Sequence, residues 1–371
     1  MKKRTVILCV TNDLISDQRV QKVAFSLKKL GLDVSCIGRN YPSSTQCIDP
    51  DIQFLYLKCR INKGKLFYIE YNVRLFLHLI WHKYDIVTAN DMDTLPACSL
   101  SGFFYPRRYL VFDAHEYFEE VPEVTNRHLV KSIWNLIGKL FIRKADACMT
   151  VNESLAKIFA EKYHKKFYVI RNTPIPIIKT PEPPLMGLPY LLYQGALNEG
   201  RGVTEMIMAM ERLPQFNLLI AGIGDIEEDL KKQAAAGSAK SRIHFLGRLT
   251  PENLRNITAG AYIGINILEA KGLNYYYSLA NKFFDYVQAG VPSINMDWPE
   301  YRIHNAEFEV AVLIPDIKAQ TLVAAILALY NDLNDHQKLR MNCFKAAKTW
   351  SWDHEEIKLK SVYGISSSLK L

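Results

Sequence analysis

Short apolar runs rich in β-branched residues alternate along almost the whole chain with stretches whose apolar positions recur every three or four residues. The first half reads RTVILCVT, a helical period over 17–30, DVSCIGR, IQFLYL, a helix near 65–82, DIVTAN, RYLVFDAH, a helix near 130–143, ADACMTVN, a helix near 153–163 and FYVIRN. Strand-then-helix order repeated in this way predicts parallel strands joined by crossover helices, hence a doubly wound α/β sheet. TPIPIIKTPEPPLMGLP at 173–189 carries six prolines and can continue neither a helix nor a central strand, so it reads as a linker. The alternation then restarts with YLLYQGAL, a helix at 203–213, FNLLIAGIG, a helix at 225–235, RIHFLGRL, a short helix near 251–259 and YIGINIL. A helix in 277–292, PSINMD, VAVLIPD and a helix near 317–332 follow, and the last forty residues have the apolar spacing of helices.

At 371 residues the chain exceeds one hydrophobic core. The expectation is two Rossmann-like doubly wound domains, 1–175 and 190–350, facing across a cleft. In such sheets ligands bind beyond the carboxyl ends of the strands, so the loops leaving the strands are where chemistry is sought.

The segment YSLANKFFDYVQAGVP (277–292) is the most informative of these. Phe283, Phe284, Val287 and Ala289, closed by Gly290 and Pro292, predict a short amphipathic helix with Asn281 and Lys282 in its first turn. Its free N–H groups and positive dipole end favour an anion, and Lys282 adds a full charge. Asp285 lies one turn on from Asn281, where it can accept ribose hydroxyls while Lys282 and Ser278 hold a diphosphate. The plainer alternative is that Asn281 caps the helix, Lys282 is solvated and Asp285 is a surface charge.

Other strand exits hold Asn12, then Asp17, Gln18 and Arg19 at a helix start; Asn90, Asp91 and Asp93; and Asp113, His115 and Glu116 in VFDAHEYFEE. Asp17 also suits a plain N-cap, and a lone His at a strand end is commonly structural. No GxGxxG follows the first strand, which argues against a dinucleotide cofactor there. In the second half YQGALNEGRGV places Gly195, Gly200 and Gly202 around Arg201, where backbone can approach a diphosphate and a guanidinium can fork onto it. GIGD at 222–225 adds Gly222 at another strand-to-helix turn.

Charge is uneven. Up to Arg171 there are 26 Lys and Arg against 17 Asp and Glu, a surplus of nine, whereas the remainder has 20 against 21. The basic half implies an anionic partner; no nucleic-acid motif accompanies it, so nucleic acid is not expected. Both KGKLFYIEYNVRLFLHLIWHKY (63–84) and RHLVKSIWNLIGKLFIRK (127–144) combine aromatic and aliphatic residues at helical spacing with basic flanks, so each suits an anionic membrane surface. The alternative is that both apolar faces pack on the sheet. No run approaches the roughly 20 residues that span a bilayer. The apolar run in MKKRTVILCVTND is too short for a signal peptide and reads as a first strand. Seven cysteines without a CxxC pair suggest neither a disulfide framework nor zinc, and hence a reducing cytoplasm. His78 and His82, four apart, lack a third candidate ligand nearby.

SLANKFFDYVQAGVP resembles the donor-binding signature SLPNKxFEYxxAGxP of family 4 glycosyltransferases of GT-B fold, in the bacterial polysaccharide and glycolipid branch, with Ala280 for Pro and Asp285 for Glu. A further family carboxylate that contacts the transferred sugar is replaced by Tyr277, and an Arg after the first glycine by Ala196. The resemblance implies a retaining, metal-independent transferase without cofactor, working with a nucleotide-diphosphate sugar donor and a saccharide or lipid-linked saccharide acceptor. It would be cytoplasmic or peripheral at the inner face of the plasma membrane. It implies donor binding by Gly195, Arg201, Gly222, Ser278, Asn281, Lys282 and Asp285, and catalytic roles for His115, Lys282 and Arg201. The acceptor side would hold Asn12, Asp17, Gln18, Arg19, Asp91, Asp113 and Glu116, with the terminal helix at about 351–371 packing back on the first domain. A sugar-nucleotide 2-epimerase of the same fold, or a degenerate non-catalytic subunit, are the alternatives.

Overall fold

The structure, a computed structural model, describes residues 3–15, 17–39, 51–61, 63–121, 124, 127–176 and 187–365. Most of the proline-rich 173–189 stretch and the end of the 351–371 segment lie outside these residues. Two compact units emerge, one made of Met1–Asn172 with His354–Leu371, the other of Thr173–Asp353.

In the first unit the strands are β1 (Thr5–Cys9), β2 (Asp33–Arg39), β3 (Gln53–Leu57), β4 (Ile86–Asn90), β5 (Tyr109–Ala114), β6 (Ala147–Thr150) and β7 (Phe167–Val169). They form one parallel sheet in the order β3-β2-β1-β4-β5-β6-β7. The second unit repeats the plan with β8 (Tyr190–Gln194), β9 (Asn217–Ala221), β10 (Ile243–Gly247), β11 (Ile263–Asn266), β12 (Ser293–Met296) and β13 (Ala311–Ile314), ordered β10-β9-β8-β11-β12-β13. Central strands such as β1, β4, β8 and β9 are buried along nearly their whole length, which is why they read as continuous apolar runs rather than alternating ones. Strand order reverses between β1 and β4 and again between β8 and β11, so each unit has one switch point where ligands of such sheets collect.

The predicted helices recur, several with shifted ends: Gln18–Lys29, Gly64–Trp81, His128–Phe141, Glu153–Tyr163, Glu227–Ala236, Pro251–Ala259 and Ala319–Asn331. Leu95–Ser101, Gly272–Tyr276 and Pro299–Glu307 are helices that the apolar spacing did not announce. All are short, and two carry Pro in the first turn, where its missing N–H does no harm. The last helix, Trp352–Val362, belongs to the first unit from His354 onward, where its carboxylates hold it. Glu355 Oε1 accepts from Arg171 Nε at 2.7 Å and Glu356 Oε2 from Ser26 Oγ at 2.8 Å.

Candidate functional sites

In the second unit the strand β8 ends at Gln194, and Gly195 turns the chain at φ 138°. Gly222, leaving β9 at φ 154°, lies so close that a Cβ there would fall 1.8 Å from the Gly195 carbonyl, so no side chain fits. Two strand exits thus converge as bare backbone.

Lys282 reaches this point from the helix Asn281–Gln288, its Nζ 3.7 Å from where a Gly195 Cβ would stand. The side chain is buried at 7% exposure, so Lys282 is not solvated. Its ammonium sits 3.9 Å above the Tyr193 ring and has no hydrogen-bond partner among the described residues. Burial, then the charge of Arg201, push its pKa well below the usual lysine range. Arg201 in turn lies over the Tyr275 ring at 5.2 Å with a buried Nε that also lacks a partner among the described residues. Two cations therefore face one small region, each over an aromatic ring and each with a buried nitrogen that lacks a partner among the described residues.

The other predicted donor residues surround this pair. Ser278 Oγ donates to the Tyr275 carbonyl at 2.7 Å, beside Arg201's platform. Asn281 is exposed in the first helical turn, but the cap position is Ala280, so the capping role weighed for Asn281 does not hold. Asp285 is not a bare surface charge: its Oδ2 accepts from Gln194 Nε2 at 2.8 Å, and Gln194 Oε1 accepts from Thr258 Oγ at 2.9 Å. Gln194, Thr258, Tyr193 and Tyr275 escaped sequence reasoning. A polar residue ending a buried strand was the available signal for Gln194; the aromatic platforms had none, because their spacing is that of core.

In the first unit His115 follows β5, and both ring nitrogens face carboxylates. Nε2 lies 3.2 Å from Asp113 Oδ2 and Nδ1 3.4 Å from Asp91 Oδ2, while the His115 N–H donates to Asp91 Oδ1 at 2.9 Å. Asp91 adopts a left-handed φ of 60°, uncommon for a residue other than glycine. Burial by itself would depress the imidazole, yet Asp91 and then Asp113 outweigh it and raise the pKa to about 10, so the ring is an imidazolium at neutral pH. Asp113 and Arg19 are bound to each other at 2.9 and 2.7 Å, and Arg19 Nη1 donates to the Ile170 carbonyl at 2.7 Å. Burial raises the Asp113 pKa, but Arg19 and His115 prevail and hold it well below the carboxylate range.

Three acceptor-side candidates are engaged inside the protein. Arg19 at 3% exposure and Asp113 at 0% are buried against each other, and Asp113 also meets the His115 ring. Asp17 caps the Gln18–Lys29 helix through Val20 N–H at 3.1 Å, the plainer of its two readings. Asn12, Gln18 and Glu116 are exposed. Asp93, buried and bonded by Thr11 Oγ, and Asp91 are both pushed by burial to about 6.

Residues 18–173 match the family described as Glycosyltransferase Family 4, and residues 188–332 match Glycosyl transferases group 1. No curated protein sequence matches the chain. Among solved structures, sucrose-phosphate synthase from Thermosynechococcus elongatus superposes with a TM-score of 0.78 at 15% identity, covering 98% of each chain. HepE of Anabaena in complex with UDP-glucose gives 0.76 at 12% identity, over 97% of this chain and 99% of that one. A putative UDP-N-acetylglucosamine 2-epimerase from Listeria monocytogenes gives 0.68 at 17%, over 99% and 98%. With the two Rossmann-like parallel sheets, these likenesses establish a GT-B fold.

Proposed function

We infer that this chain, a GT-B glycosyltransferase of a family 4-like kind, moves a sugar from a nucleotide-diphosphate donor to a saccharide or lipid-linked saccharide acceptor. The observation that carries the reading is the buried, unpartnered Lys282 ammonium beside Gly195, with Arg201 next to it. A cation held out of water without a counter-charge is costly unless an anion joins it. A diphosphate supplies that charge, and more of it develops on the leaving oxygen as the sugar–phosphate bond breaks. In this reading Asp285, one turn along and bonded by Gln194 at the strand end beside Gly195, accepts the ribose hydroxyls.

His115 in this reading is a fixed positive charge held by its neighbours rather than a base, since its ring nitrogens already face Asp91 and Asp113. The family pattern supports retention of configuration, with the acceptor hydroxyl attacking the front face and the leaving phosphate taking its proton. Lys282 and Arg201 carry the charge compensation that a divalent cation would otherwise provide, so no metal is needed. The setting is the cytoplasmic face of a bacterial membrane, in surface polysaccharide synthesis. The same nucleotide grip would serve a 2-epimerase, but the matches of both units are to glycosyltransferase families.

Thermal shift against a panel of UDP-, GDP- and other nucleotide sugars tests the donor site; one donor should raise the transition, and its free nucleoside diphosphate should do so too. Acceptor-dependent release of that diphosphate then separates transfer from epimerisation. A protein indifferent to every nucleotide would refute the assignment.

A further inference from the structure

The helix Gly64–Trp81 is apolar on two sides. Phe67, Tyr71, Leu75 and Leu79 are buried. The opposite stripe, Leu66, Ile69, Val73, Leu77 and Trp81, stands in solvent at 37 to 75% exposure. The sequence alternative, in which the apolar residues of this helix all pack on the sheet, therefore accounts for one face and leaves the other.

That face continues across neighbouring elements. Phe76 meets Phe104 edge to face at 6.0 Å between ring centres, and an apolar groove between Val73 and Leu100 ends at the exposed Phe103 and Phe104. The helix His128–Phe141 repeats the pattern, with Leu129, Ile133, Leu136 and Leu140 each more than half exposed. Its Trp134 lies 5.8 Å from the Tyr68 ring, and Lys144 just after it sits 4.8 Å above the Phe103 ring. Scattered single apolar residues are ordinary on a protein surface, but an exposed apolar stripe beside a groove that ends at exposed Phe103 and Phe104 marks an interaction face.

Charge says what covers it. Segments 63–84 and 127–144 hold nine Lys and Arg against one acid, Glu70, which is paired with Arg74. A second copy on a shared axis would set like charge against like. An apolar face rimmed by cations suits a bilayer surface, where side chains enter the headgroup boundary while ammonium and guanidinium groups meet lipid phosphates. No helix among the described residues is long and apolar enough to cross a membrane, so the mode is docking rather than spanning.

We propose that this face of the first unit docks on an anionic phospholipid surface. The proposal deepens the lipid-linked acceptor reading and rests on it for its purpose, not for its physical basis.

Sedimentation of the full chain with phosphatidylcholine vesicles, with and without phosphatidylglycerol, is the test. Binding is expected to the mixed vesicles, on the order of tenfold tighter than to neutral ones, and to weaken with salt. Ile69→Gln combined with Phe103→Ser should weaken it by about tenfold or more, and Lys139→Glu with Lys144→Glu should remove the preference for phosphatidylglycerol. All four positions are exposed, so the thermal transition and the response to nucleotides should stay those of the parent. Absence of binding to the mixed vesicles would overturn the docking face, as would concentration-dependent dimerisation abolished by Ile69→Gln with Phe103→Ser. A nucleotide response that survives such a failure would leave the transferase reading standing.

Discussion

The two units bury their cations differently. In the first, Arg19 and the His115 imidazolium are closed off by Asp113 and Asp91, and the guanidinium's spare donor goes to the Ile170 carbonyl. In the second, Lys282 and Arg201 sit over the rings of Tyr193 and Tyr275, and Lys282 Nζ and Arg201 Nε have no hydrogen-bond partner among the described residues. A cation whose hydrogen bonds are met inside the protein belongs to the architecture; one that stays unmet keeps its free energy in reserve for a ligand. The two sites have residues of similar kind and differ in the presence or absence of a counter-charge.

Substituting one cation in each site should separate those roles most sharply. Arg19→Met leaves Asp113 buried with its main partner gone, and should destabilise the first unit by about 3–5 kcal/mol in denaturant unfolding. Lys282→Met should leave stability unchanged or raise it, because an unpaired buried charge disappears, while transfer falls by on the order of 100-fold or more. The reverse outcome, an unfolded Lys282→Met protein beside a stable Arg19→Met one, would erase the distinction.

A smaller effect follows from the imidazolium. His115 has a folded pKa of about 10, above the usual value of about 6.5, so its contribution is fully present below pH 6.5 and is lost as pH rises towards 10. Stability of the first unit should therefore decline across that alkaline window, and His115→Asn should flatten the decline. An unchanged slope in the variant would show that the ring is not the charged group. Asp113, held low, acts at the other end: its contribution is present above about pH 3.9 and is lost as pH falls through its own value.

Much of this was legible in the chain. Buried parallel strands announce themselves as apolar runs, the prolines of 173–189 mark where the alternation breaks, and the spacing of Phe283, Phe284 and Val287 puts Lys282 in a first helical turn. What spacing cannot carry is pairing across the sheet. Arg19 and Asp113 are 94 positions apart, and nothing local distinguishes an arginine that reaches an acceptor from one that is locked to a buried carboxylate. The same blindness hid Tyr193 below Lys282, since a strand aromatic reads as core whichever atom rests on its face. Short helices such as Gly272–Tyr276 escaped because five residues are too few to show a period.

The finest test of the contrast lies at Asp285, which shares features of both sites. One of its oxygens is already bonded, by Gln194, and Gln194 is itself fixed by Thr258. If the carboxylate were purely architectural, like Asp113, replacing it would cost stability. Asp285→Asn keeps the shape and can still accept from Gln194 through its amide oxygen, so the thermal transition should move by only a degree or two, consistent with a shift of about 0.5 kcal/mol. The neutral amide is a weaker acceptor for ribose hydroxyls than the carboxylate, so the nucleoside diphosphate that the panel identifies should bind roughly tenfold more weakly by calorimetry. Unchanged affinity with a large drop in the transition would move Asp285 to the architectural side. Loss of affinity without loss of stability would place it with Lys282, as a group that serves the ligand.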